Sequence, residues 1–142
     1  MKRINASDLI AALLILLYVY TAASKLLSFN DFQMQMRQQV FPAWFKEVLI
    51  WILPLAELFV AVLLLIPSTR QTGLGLSAVL LLAFTLYIGL ALVHVFDRVP
   101  CSCGGVFRRM GWKLHFWFNL FFLLSNSYAI VRTVRERRTA AS

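Results

Sequence analysis

Long apolar runs, broken by short polar clusters, dominate the chain. The hydrocarbon layer of a bilayer is about 30 Å thick, so a helix that spans it needs about 20 mostly apolar residues. The runs 8–27, 48–66, 73–96 and 114–131 reach that length. Their ends carry stop signals. Ser7 or Asp8 offers a side-chain oxygen to cap the first run, and Pro67 closes the second. Asp97, Arg98 and Pro100 close the third, and Arg132, Arg135, Arg137 and Arg138 form a basic tail after the fourth. Lipid offers no hydrogen bonds to a backbone, so each run must satisfy its own, which predicts helices. The runs are too long for barrel strands and lack their alternation of two.

The connections are short. The longest covers 28–47, where Phe29, Phe32, Met36 and Val40 recur at helical spacing with Asp31, Gln33, Gln35, Arg37 and Gln38 mostly between them. That pattern predicts a short helix lying in the membrane interface. Pro42, Trp44 and Phe45 lead from it into the second span, and Pro54 is expected to bend that span. Residues 67–72 form a tight turn, and 97–113 form the third link. Short links favour an up-down-up-down arrangement. The expected fold is all-α: an integral membrane four-helix bundle in one domain over 1–142, with both termini on one side.

Composition agrees. The chain is 61% hydrophobic and 14% charged, against about a quarter charged in soluble domains. Membrane lipid is the expected surroundings. The net charge of +8 does not point to nucleic acid, because the Lys and Arg residues flank the spans, where they meet lipid head groups. Lys2, Arg3 and the small residues Ala22-Ala23-Ser24 resemble a signal peptide, but three further spans make an uncleaved first helix the better reading. The fourteen Lys and Arg residues divide evenly between the two sides of such a bundle. The dense C-terminal tail and the flank of the first span then favour both termini in the cytoplasm. The link 97–113 is thereby expected outside it, across a bacterial cytoplasmic membrane.

That link holds the only two cysteines, in Val99-Pro100-Cys101-Ser102-Cys103-Gly104-Gly105. Two thiols one residue apart can close a small, strained disulfide that is easily reduced and so oxidises others. Pro100 fixes the approach of the chain. Gly104 and Gly105 leave room for another protein's backbone or thiol. Arg108 and Arg109 favour the reactive thiolate. The bland alternative is that both cysteines fill space. Metal binding is the rival chemistry, with Cys101, Cys103, His115 and His94 as a four-ligand set, although a spacing of one suits a tetrahedral ion less well than two to four. His94 is equally well a lone interfacial histidine.

Glu57 falls near the middle of the second span. A carboxylate at that depth is costly and normally faces the bundle interior with a partner. Lys25, near the end of the first span, can reach it. A protonated Glu57 bonded to Ser24, Tyr18 or Tyr87 also satisfies the physics. The choice is between a helix-to-helix polar clamp and a proton-transfer group. Asn119 in the fourth span reads as interhelical glue. Trp112, Phe116, Trp117, Phe118, Phe121 and Phe122 crowd the start of that span, either as an aromatic belt or as a quinone pocket beside the thiols.

At these residues the chain resembles a known family. The run Arg98-Val99-Pro100-Cys101-Ser102-Cys103-Gly104-Gly105-Val106, with Trp112, His115 and Asn119 after it, looks like the MauE family of the wider DoxX-like four-helix membrane proteins. Ser24-Lys25-Leu26 with Asp31-Phe32, and Pro54-Leu55-Ala56-Glu57-Leu58, extend the resemblance over nearly the whole chain. The resemblance implies redox maturation outside the cytoplasm, as in methylamine utilisation. It implies a disulfide-handling role for Cys101 and Cys103, a thioredoxin-like or other extracytoplasmic protein partner, and Lys25 as companion of Glu57. The expected function is therefore assistance to thiol–disulfide exchange, as a component of an oxidoreductase system. The alternatives are a non-enzymatic membrane subunit or assembly factor, and a Cys/His metal carrier.

Overall fold

The computed structural model describes residues 4–95 and 111–142, the side chain of Trp112 excepted. Cys101, Cys103 and the rest of their motif lie outside the described residues. Among the described residues five helices follow one another: α1 (Ala6–Leu27), α2 (Phe29–Arg37), α3 (Ala43–Leu65), α4 (Arg70–Leu92) and α5 (Trp112–Ala141). All but α2 are long and apolar enough to cross a membrane, and no strand occurs among the described residues.

Each span begins and ends for a local reason. Asn5, rather than Ser7 or Asp8, caps α1, and the Asp8 carboxylate accepts the Asn5 backbone N–H at 3.4 Å. Pro42 stands at the N-cap of α3, where its missing N–H costs nothing. The helix therefore starts at Ala43, five residues before the apolar run, and carries Trp44, Phe45, Lys46 and Glu47 in its first turns. Pro54 is accommodated inside α3, on its buried side. The C-terminus of α4 stops at Leu92 rather than running on. The His94 N–H donates to the Ala91 carbonyl and the Val95 N–H to Leu90, the Schellman pattern, with His94 in the left-handed region at φ 56°.

The spans alternate in direction. At one end, the Arg70 guanidinium donates to Asp8 at 2.8 Å and to the Leu64 carbonyl at 3.2 Å, tying the starts of α1 and α4 to the end of α3. At the other end, Gly89 of α4 lies against the Phe116 ring of α5, and Phe41, just after α2, stacks on Tyr87 of α4 at 5.2 Å between centroids. The end of α4 and the start of α5 stand at this second end, beside α2. Leu14, Tyr18, Val60, Ala61, Leu64, Leu74, Leu81 and Ala129 form the core. Polar contacts join the spans within it: the Tyr18 hydroxyl lies 2.8 Å from Ser77 Oγ, and the Asn126 amide donates to the Leu74 carbonyl at 3.0 Å.

Two further features matter for the site. The short helix α2 buries Phe32 and Met36 against Ile50 of α3, so it packs on the bundle with its apolar face. The last helix does not stop at the end of its apolar run. At about 1.5 Å per residue its 30 residues extend roughly 45 Å, well beyond a hydrocarbon layer of about 30 Å. The surplus carries Arg132, Arg135, Arg137 and Arg138.

Candidate functional site

The end of the bundle beside α2 encloses a cavity of about 440 Å³. Its walls are mostly apolar: Leu17, Met36, Phe41, Phe45, Leu49, Ile52, Leu53, Phe84 and Ile88 contribute, with Phe118 from α5. Both α3 and α4 contribute side chains to these walls. At the opposite end Gly73 lets them touch, because a Cβ at that position would sit 2.9 Å from the Leu64 nitrogen.

Into these walls the helices insert a few polar groups. Lys25, in the last turn of α1, donates to both carboxylate oxygens of Glu57, at 2.9 and 3.1 Å. The two residues are 5% and 3% exposed. The lysine's four-carbon stem makes the meeting feasible, since the nitrogen can reach well along the helix from its own Cα. Its nitrogen also stands 5.9 Å from the Phe32 ring centroid, within range of a cation–π contact. Each ion alone would be expensive in this apolar setting; paired, with two charge-assisted hydrogen bonds, they are tolerated. Of the hydroxyls the sequence offered to Glu57, Tyr18 is committed to Ser77 and Tyr87 donates to Gln39.

His115 and Asn119, one turn apart on α5, line the same cavity. Asn119 is 8% exposed and makes no hydrogen bond to another described residue. The interhelical amide contact of α5 comes instead from Asn126, which the sequence pattern did not single out. The aromatic crowd at the start of α5 divides. Trp117 and Phe121 are exposed, whereas Phe118 lines the cavity. The other aromatic walls, Phe41, Phe45, Phe84 and Tyr87, come from three different stretches of chain and are visible only once the helices pack.

His94 is exposed at the end of α4 and does not line the cavity. Among the described residues no group of three or more His, Cys, Asp or Glu side chains is placed to hold a metal ion. Pro100, Cys101, Cys103, Gly104, Gly105, Arg108 and Arg109 belong to the segment outside the described residues. The flanks of that segment, Val95 and Gly111, stand at the cavity end of the bundle.

Four apolar spans, a lipid-facing exterior and a polar pair held inside define a multi-pass helical membrane protein. Residues 4–132 match the family described as methylamine utilisation protein MauE, and the chain belongs to that family. No curated protein and no solved structure matches it.

Proposed function

We propose that this protein is a membrane component of thiol–disulfide exchange, donating a disulfide to an extracytoplasmic protein through Cys101 and Cys103. The observation that carries the reading is the pair itself. The only two cysteines of the chain stand one residue apart in the link between α4 and α5, and the match to the family, over residues 4–132, includes that link. A partner thiolate attacks one sulfur of the Cys101–Cys103 disulfide, and the other sulfur leaves as a thiolate. The partner's second thiolate then attacks the mixed disulfide and releases the first sulfur. The partner gains a disulfide and the protein is left with two thiols.

Orientation follows from the same reading. With both termini in a bacterial cytoplasm, the link opens to the oxidising side, where disulfides persist. The partner is of the thioredoxin-like class or is a client protein with two thiols.

Single Cys101→Ser and Cys103→Ser variants test the mechanism. In one of them the remaining thiolate should attack the disulfide of the oxidised partner, the reverse of the second step, and form a mixed disulfide that mass spectrometry identifies and a reductant dissolves. If neither variant traps a partner, and the double variant keeps full biological function, the exchange reading is lost and a non-enzymatic assembly role takes its place.

A further inference from the structure

The cavity beside α2 is larger than the Lys25–Glu57 pair requires. At about 440 Å³ it lies within the range of small-molecule sites. It also reaches the outer surface of the bundle. Ile52, 52% exposed, and the exposed Ala83 both contribute to its walls, one from α3 and one from α4. The outer surface of a span faces lipid, so a ligand arrives from the bilayer, between α3 and α4.

The lining selects the head of that ligand. Among the described residues, Lys25 and Glu57 are the only Lys, Arg, Asp or Glu residues in the walls, and they neutralise each other. That pair offers no net charge to a phosphate or carboxylate head, and burying such a head unpaired in an apolar setting is strongly disfavoured. Neutral hydrogen-bond acceptors suit the site. An ammonium has three N–H bonds and Glu57 occupies two of them. The amide of Asn119 is buried, lines the cavity and makes no hydrogen bond to another described residue. Phe41, Phe45, Phe84, Tyr87 and Phe118 line it as aromatic walls. A flat, neutral ring with carbonyl acceptors and an apolar tail satisfies all three features.

We infer that this cavity binds a prenylated quinone, its ring carbonyls towards Lys25 and Asn119 and its tail leaving between α3 and α4 into lipid. What the quinone does there rests on the disulfide reading; that it binds does not. When the Cys101 and Cys103 thiols close to a disulfide they release two electrons and two protons. The quinone takes up both pairs and leaves as quinol, which restores the disulfide that exchange consumes.

A photoreactive azido-benzoquinone with a short prenyl tail tests binding to the full chain in nanodiscs. Labelling should be saturable and map to the α3 and α4 walls of the cavity. A short-chain ubiquinone should compete for it and phosphatidylglycerol should not. Filling the cavity with Ala56→Phe, or removing the amide with Asn119→Leu, should each weaken binding about tenfold, equivalent to roughly 1.4 kcal/mol. The competition in wild-type protein stands even if a variant misfolds. Label spread over lipid-facing side chains such as Leu55 and Phe59, or equal competition by phosphatidylglycerol, would overturn the assignment. The Cys101→Ser/Cys103→Ser double variant should be labelled like wild type, which separates failure of the quinone site from failure of the thiol chemistry.

Discussion

Lys25 and Glu57, 32 positions apart in the chain, close a two-pronged ion pair inside the bundle, with the lysine nitrogen 2.9 Å from one carboxylate oxygen and 3.1 Å from the other. They join α1 to α3 at the wall of the cavity. Removing one partner leaves an unbalanced charge among apolar groups, at a cost of about 3–5 kcal/mol, whereas replacing both with apolar residues of similar volume is often neutral. Lys25→Met and Glu57→Leu should therefore each lower the thermal midpoint in detergent sharply, and the double variant should recover most of the loss. The double variant also decides between two roles. A clamp predicts that it still supports disulfide transfer at the wild-type rate. A part in ligand binding predicts a folded protein that has lost quinone labelling.

The close approach of α3 and α4 at the opposite end rests on Gly73. A methyl group there would meet backbone, with Leu64 nitrogen at 2.9 Å and the Leu63 carbonyl carbon at 3.1 Å, and backbone cannot step aside as a side chain can. Gly73→Ala should destabilise by about 1–3 kcal/mol, the usual range for overpacking. Gly75, two residues on, has nothing within 4 Å of an added Cβ. Gly75→Ala should be neutral or stabilise by up to about 1 kcal/mol through helix propensity. Parallel thermal unfolding of the two variants in one detergent checks the contrast; equal behaviour would mean that the helices do not touch at Gly73.

The four spans and the amphipathic α2 were legible because lipid imposes a simple rule: a long apolar run must be a helix. Their boundaries were less so. The first turns of α3 carry Trp44, Lys46 and Glu47, which end the apolar run without ending the helix that Pro42 starts. Beyond Val131 the apolar signal vanishes, yet Arg and Glu are good helix formers and α5 continues, with Arg132 and Glu136 paired at 3.4 Å across one turn. The ion pair was foreseeable from the cost of an unpaired Glu57, with Lys25 in reach. The cavity was not. Its walls collect Phe41, Phe45, Phe84, Tyr87 and Phe118 from separate segments, and no periodicity along the chain records that they meet.

His94 offers a test of how α4 ends. Its φ of 56° is a conformation that glycine adopts freely and other residues adopt at a cost of roughly 1–2 kcal/mol. His94→Gly should keep the fold and leave thermal stability unchanged or slightly raised, with disulfide transfer intact. A histidine needed as a metal ligand behaves differently: the same variant would then lose bound metal and activity while keeping its helicity. Metal content by mass spectrometry, beside circular dichroism, separates the two.

Sidedness is the condition on which the proposed chemistry depends, and charge alone does not supply it. The alternation of the spans puts the end of α5, with Arg135, Arg137 and Arg138 exposed, on the side of the chain's N-terminus. It puts the link between α4 and α5 on the other. Arginines flanking a span are retained in the cytoplasm, so this long basic helix end should anchor both termini there. A membrane-impermeant maleimide applied to intact spheroplasts should then modify Cys101 and Cys103 after mild reduction, and should fail to modify them before it if the pair rests as a disulfide. A cysteine introduced at Thr139, in the last turn of α5, should react only after the membrane is broken. The reverse pattern would put the pair in the reducing cytoplasm, where a strained disulfide does not persist, and disulfide donation by this protein would have to be abandoned.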